Sequence, residues 1–177
     1  MKAQVFILIV LITLCSSLFA ETPKPREDKL DEMLFAGVEI QNPQSPEDYA
    51  KAWEAFFQVS YKLPESDNEA YFGITYYTED YVPGEEGGQA YMVAAPVPSL
   101  DELPEGVVTR KIPARKYIVF EHHGPMEKVG ETYSYIYRDF IPNGSYDVIY
   151  ADTLERYDHR FMEDPDDSIF EIWIPVQ

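Results

Sequence analysis

Apolar positions recur along the chain with two different periods, and the changes of period mark out its elements. From Met33 to Gln41 the run "MLFAGVEIQ" predicts a strand, ended by Asn42-Pro43. A helix follows: Ser45 can cap it, Pro46 occupies its first position, and Glu47 and Asp48 face the positive end of its dipole. Tyr49, Trp53, Phe56, Phe57 and Ser60 then keep the spacing of one buried helical face. Tyr71–Tyr77 and Gln89–Val97 predict a hairpin across "YVPGEEGG". Ser99–Gly106 is a connector, and Val107–Pro113 a short extended segment. Tyr117–His123 is a further strand, and Gly124-Pro125 turns it into a second amphipathic helix carrying Met126, Val129, Tyr133, Ile136, Tyr137 and Phe140. Pro142-Asn143-Gly144 stops that helix, and Val148–Phe161 with Ser168–Val176 closes the chain as a hairpin.

Strand, helix and two strands therefore occur twice, about residues 33–98 and 114–177, and both units end in Pro-Val. This predicts an α+β fold of duplicated strand-helix-strand-strand units with antiparallel sheets and helices on the outer faces. The uncovered faces are expected to form a central groove along a pseudo-twofold axis, where ligands lodge between repeated halves. In the closing hairpin, Glu155, Tyr157 and His159 point one way and Leu154, Arg156 and Arg160 the other. In the last strand Phe170, Ile172 and Ile174 suit a helix-covered face, with Glu171 and Trp173 opposite them.

Met1–Ala20 differs from the rest. One positive charge, Lys2, precedes an apolar run from Val5 to Leu14 and a small residue at Ala20, the pattern of a cleaved secretory signal. The run is too short for a membrane span of roughly 18 to 20 residues, so no stable anchor is expected after cleavage. Cys15 raises a lipoprotein reading, weakened by the large Leu14 before it. The expected location is periplasmic or extracellular. Glu21–Glu32, dense in charge and proline at its start, reads as a flexible leader before one domain, 33–177.

Charge and chemistry narrow the functions. With 32 acidic and 14 basic residues the net charge is −18, which repels nucleic acid and concentrates cations. Cys15 is the only cysteine, so the domain has neither disulfides nor thiol chemistry. His122 and His123 are adjacent and point to opposite faces of a strand, and His159 has no partner at ligand spacing, so no metal site or cofactor is expected. What remains is an acid among rings. Glu155 with Tyr157, Trp173, Tyr117, Tyr71 and Tyr77 would form an aromatic groove around a desolvated carboxylate, suited to aromatic or amphipathic cations. The competing reading pairs Glu155 with Arg156 or Arg160 on the surface. Glu171 is expected at the rim, and Trp53 in the core.

The run "IPARKYIVFEHHGPMEKVGETYSYIYRDFIPNGSYDV", followed by "LERYDHRF" and "FEIWIPV", resembles the second half of the GyrI-like, or AraC-type effector-binding, small-molecule-binding domain. The segments "FAGVEI", "EAYFGITYY" and "QAYMVAAPV" fit the first half. That resemblance implies the same duplicated architecture, and it implies that Glu155, in "ERY", is the acidic ligand contact of drug-binding members. The expectation is an exported binder of small cationic or amphipathic organic molecules. The alternatives are a metal-independent hydrolase using Glu155 as general base with Tyr157, and a protein inhibitor of gyrase-inhibitor type, which export disfavours. Oligomeric state is open.

Overall fold

The computed structural model describes residues 24–82, 87–162 and 164–177. The expected signal segment, residues 1–20, lies outside these. Eight strands are defined: β1 Arg26–Leu30, β2 Met33–Gln41, β3 Tyr71–Tyr77, β4 Gln89–Pro96, β5 Val108–Ile112, β6 Arg115–His123, β7 Thr153–Tyr157 and β8 Ile169–Pro175. They form one antiparallel sheet in the order β1-β6-β8-β7-β3-β4-β2-β5. Among the described residues two longer helical segments connect them, beside single 3-10 turns at Ser60–Lys62 and Pro165–Asp167. The first, α1, is Pro46–Phe57. The second, α2, runs as a 3-10 turn Met126–Lys128, an α turn Val129–Ser134, a π segment Tyr135–Phe140 and a last turn Ile141–Asn143. The wide turn precedes Pro142, whose missing N–H and ring are incompatible with a regular helical ladder there. No helix among the described residues is long and apolar enough to cross a membrane.

The two expected units are present and joined edge to edge. Outward from the β3–β7 seam lie β3, β4 and β2 on one side and β7, β8 and β6 on the other, so corresponding strands occupy corresponding places. The remaining strands cross over. β1 directly precedes β2 yet pairs with β6, and β5 directly precedes β6 yet pairs with β2. Residues 26–30, expected in a flexible leader, are thus a strand. Only Leu30 of it is buried, and the other four side chains are exposed, which explains why charge and proline disguised it.

Because β1 and β2 sit near opposite ends of the strand order but are separated only by Asp31 and Glu32, the sheet curls until its ends approach. Its concave face closes on one apolar cluster in which Leu30 from one end meets Phe35 and Ile112 from the other, around Phe72, Ile74, Met92, Leu154 and Trp173. Each such side chain contributes about 1.5 to 3 kcal/mol by burial. Gly37 belongs here for close approach: a Cβ on it would stand 1.9 Å from the Val93 carbonyl oxygen. The uncovered face expected to form a groove is therefore rolled into a filled interior.

The helices lie on the convex face, as expected. Phe56 and Ala52 of α1 pack on Tyr91 and Val93 of β4, and Ile136 of α2 packs with Ile118, Phe120, Phe170, Ile172 and Ile174 of β6 and β8. The Asp48 carboxylate accepts from the Ser45 N–H at 3.1 Å and fixes the start of α1. With α1 over one half and α2 over the other, the outward side chains of β3 and β7 emerge between two helices.

Candidate functional site

Register decides what emerges there. Glu155 on β7 stands opposite Gly73 of β3 and Ile172 of β8, on the convex, helix-bearing face. Tyr157 stands opposite Tyr71, and Thr153 opposite Thr75. The carboxylate is met by three phenols from three elements. Tyr133 of α2 donates to Oε1 at 2.6 Å, while Tyr91 of β4 and Tyr157 of β7 donate to Oε2 at 3.1 and 3.0 Å. Among the described residues no Lys, Arg or His side chain reaches it.

Trp53 of α1 completes the arrangement. Its indole N–H donates to the Tyr91 hydroxyl at 3.2 Å. An indole N–H can only donate, so the Tyr91 oxygen is the acceptor there and its own proton is directed to Glu155. The Trp53 ring also lies edge-on to Tyr157, 4.9 Å between centroids. Gly73 makes room beneath: a Cβ at that position would fall 2.3 Å from the Tyr91 hydroxyl oxygen and 2.7 Å from Glu155 Oε2. A glycine inside an otherwise strand-forming run was the sequence signal for this approach.

Electrostatics follow from packing. Glu155 keeps some contact with solvent, yet the protein around its carboxylate pushes its pKa above the usual carboxylate value, and the three phenol bonds only partly oppose this. Hydrogen bonds to a charged group contribute about 1.5 to 3 kcal/mol each. Desolvation still prevails, so the ionised carboxylate has favourable interaction left to make. The phenols of Tyr91, Tyr133 and Tyr157 are themselves pushed well above the ordinary tyrosine value, first by burial and then by the Glu155 charge.

The expected site residues divide between the two faces. Glu155, Tyr157, Tyr71 and Tyr77 share the convex face, with Tyr71 packed on Phe56 and Phe57 and Tyr77 on Tyr81 and Tyr150. Trp173 and Tyr117 do not join them. They lie on the concave face, 5.7 Å apart between ring centroids and part of the filled interior. The two tryptophans have thus exchanged the places expected of them. Tyr91, Tyr133 and Trp53, which do reach Glu155 or its partners, read as strand and helix core in the sequence because each sits at a regular apolar position.

The arginines expected to compete for Glu155 are engaged elsewhere. Arg156 and Arg160 bind Asp158 and Glu171 on the concave side. Glu171, expected at the rim, is buried and also accepts from Arg26 at 2.9 Å and from the Trp173 indole N–H at 2.9 Å. His122 is buried between the Thr132 hydroxyl at 2.8 Å and the Pro125 carbonyl at 3.2 Å. Among the described residues no group of three His, Cys, Asp or Glu side chains is placed to hold a metal ion.

Comparison with known proteins gives this geometry a context. The transcriptional regulator BrlR of Pseudomonas aeruginosa is 26% identical over 147 residues, which cover 79% of this chain and 50% of the regulator, so the chain spans half the length of that relative. The structure of SAV2435 bound to tetraphenylphosphonium superposes with a TM-score of 0.70 at 18% identity, covering 87% of this chain and 94% of that one. The EcmrR C-terminal domain superposes with a TM-score of 0.65 at 19% identity, covering 87% and 97%. A family model described as GyrI-like small molecule binding domain matches residues 23–177, and by that match over most of its length the chain belongs to the GyrI-like small-molecule-binding domain family.

Proposed function

We propose that the protein binds amphipathic organic cations, with Glu155 as the counter-charge. The observation that carries this reading is a desolvated carboxylate held by three neutral donors and by no cation among the described residues. Phenols steady the charge without neutralising it, so a positively charged guest gains both Coulomb attraction and relief of the burial penalty. Rings of Trp53, Tyr157 and Tyr71 add cation-π and area terms of about 0.5 to 2 kcal/mol each. Such contacts tolerate changes of ligand shape, which fits a broad rather than a narrow ligand class. The tetraphenylphosphonium held by SAV2435 is a cation of this kind.

We favour binding over hydrolysis because three phenol protons already occupy three of the roughly four lone-pair positions of the carboxylate, one on Oε1 and two on Oε2, which leaves a single position to orient a water for deprotonation. The acidic balance argues against nucleic acid as a partner, and the amino-terminal pattern supports export, so the role proposed is sequestration or sensing of such cations in the cell envelope. Calorimetric titration of tetraphenylphosphonium into wild type and Glu155→Gln is the test. Loss of most of the affinity in the variant is expected, and equal affinity would remove the assignment.

A further inference from the structure

Each proton around Glu155 has an assigned place, and together they fix how many more the carboxylate can accept. Oε1 accepts from Tyr133 at 2.6 Å, and Oε2 accepts from Tyr91 at 3.1 Å and from Tyr157 at 3.0 Å. The Trp53 N–H donates to the Tyr91 oxygen at 3.2 Å, which keeps the Tyr91 proton on the carboxylate. Tyr133 and Tyr157 also keep their protons at neutral pH, because burial and the Glu155 charge push both phenols well above the ordinary tyrosine value. An ionised carboxylate offers about four lone-pair positions, two on each oxygen. Oε2 is thus full, and Oε1 has one position left. Every element around the carboxylate, α1, β3, β4, α2 and β7, lies wholly within the described residues.

The two oxygens also differ in what lies beside them. β3 closes Oε2 from the sheet side: a Cβ on Gly73 would stand 2.7 Å from it. On α1 the half-exposed Tyr49 lies within range of the Glu155 charge without bonding to it, edge-on to Tyr91 at 4.7 Å between centroids. On α2 the Tyr133 ring stacks on the half-exposed Tyr137, 5° from parallel. A guest between the two helices therefore meets rings, which suit carbon substituents on a cation, and a single carboxylate acceptor.

We propose that the site selects among cations by the number of N–H groups they carry, and that its preferred guest is a protonated tertiary amine with an aromatic substituent. Because this selection acts at the same carboxylate, it rests on the Glu155 reading and narrows it. A tertiary ammonium has one N–H, which completes the acceptor count at Oε1, and three carbon substituents for the rings. A quaternary ammonium or a phosphonium brings charge and ring contacts but no donor, so it binds while covering the last position without a bond. A primary ammonium brings two donors more than the carboxylate can accept, and stripping water from an unmatched N–H is unfavourable. A guanidinium needs both oxygens for its fork, and Oε2 has no position to give.

The test uses three salts of one scaffold, 2-naphthylmethylammonium and its N,N-dimethyl and N,N,N-trimethyl forms, titrated by calorimetry near pH 7, where each carries one positive charge. Wild type should bind the dimethyl salt roughly three- to thirtyfold tighter than the trimethyl salt, the worth of one bond to a charged group less the burial of one extra methyl. It should bind the primary salt at least about tenfold more weakly than the dimethyl salt. Tyr133→Phe frees a second position on Oε1, so there the primary salt should gain roughly three- to tenfold on the dimethyl salt. Glu155 ionisation does not move that ratio, since it enters both affinities alike. Glu155→Gln should weaken all three salts. A trimethyl salt bound by wild type as tightly as the dimethyl salt, or a primary-to-dimethyl ratio unmoved in Tyr133→Phe, overturns the donor count; with all three salts weakened in Glu155→Gln, the Glu155 reading then still stands. Affinities unchanged in Glu155→Gln remove that reading and the donor selection with it.

Discussion

The Tyr133 hydroxyl on α2 stands 2.6 Å from Glu155 Oε1 on β7, the shortest of the three bonds that hold the carboxylate. It ties a helix of one repeat to the seam between both. Replacing Tyr133 by Phe removes a donor to the charged carboxylate, a bond that holds its pKa down, and so raises the Glu155 pKa further. Cation binding needs the ionised form. The acid limb of a phosphonium affinity profile should therefore move to higher pH in Tyr133→Phe, and an unmoved limb would detach Tyr133 from the site.

Stability should respond to pH in the opposite sense at this residue. Burial raises the folded-state pKa of Glu155 above its unfolded value. The folded state then binds the proton more tightly, so the stability this group contributes is fully present below the unfolded pKa, roughly 4.3, and is lost as pH rises through the folded pKa. Glu155→Gln removes that loss. Its melting temperature relative to wild type should be higher at pH 7.5 than at pH 4, and thermal melts at the two values check the sign.

Gly73→Ala separates packing from propensity. Glycine in a strand interior is ordinarily weaker than alanine, so the substitution elsewhere would stabilise. Here the new methyl would meet the Tyr91 hydroxyl and Glu155 Oε2. A loss of about 1 to 3 kcal/mol in denaturant unfolding is expected, with at least a tenfold loss of phosphonium affinity. A stabilised variant with unchanged affinity would contradict the geometry.

The two tryptophans report on different faces. Trp53 touches Tyr91 and Tyr157 beside the carboxylate, whereas Trp173 is packed in the concave interior. Titration with a phosphonium should change the fluorescence of Trp173→Phe, which retains Trp53, and leave that of Trp53→Phe nearly constant. The reverse pattern would place the ligand on the concave face.

Acid sensitivity should come from the other carboxylate cluster. Burial raises the Glu171 pKa, but bonds from Arg160, Trp173 and Arg26 outweigh it and hold it below the usual value. Asp158, also raised by burial, is brought down to about 2 by Arg160 and Arg156. Groups depressed in the folded state contribute stability above their unfolded pKa values that is lost as pH falls. Glu171→Ala takes from Arg156 and Arg160 one of the two carboxylates they share, Asp158 remaining, and leaves the buried Trp173 indole N–H without its acceptor, so it should cost about 1 to 3 kcal/mol at pH 7, the range for an unsatisfied buried polar group. The variant's unfolding profile should also lose part of its slope below pH 5.

Local chemistry along the chain was enough to place β2, α1, β3 and most of the remaining elements, because alternation, a capping serine and turn residues act over a few neighbours. Strand periodicity also put Tyr157 on the side of Glu155 and Tyr71 with Tyr77 on one face of β3, whereas the choice of Glu155 over an ordinary surface acid came from the resemblance of "ERY" to the family. The β7 hairpin arm is shorter than its apolar pattern, Thr153–Tyr157 rather than Val148–Phe161: Asp158 ends it by accepting from the Arg160 N–H, and before it only Val148 keeps an isolated bridge, to Val176. What no local pattern contained was the crossing of β1 and β5 into the opposite repeats. Those pairings join segments far apart in sequence, and they curl the sheet. The curl, in turn, decides that the bare face closes into a core holding Trp173 and Tyr117, while the helix-bearing face keeps the acid. Tyr91, Tyr133 and Trp53 reach Glu155 only because three elements pack around one seam, and that convergence belongs to the folded chain alone.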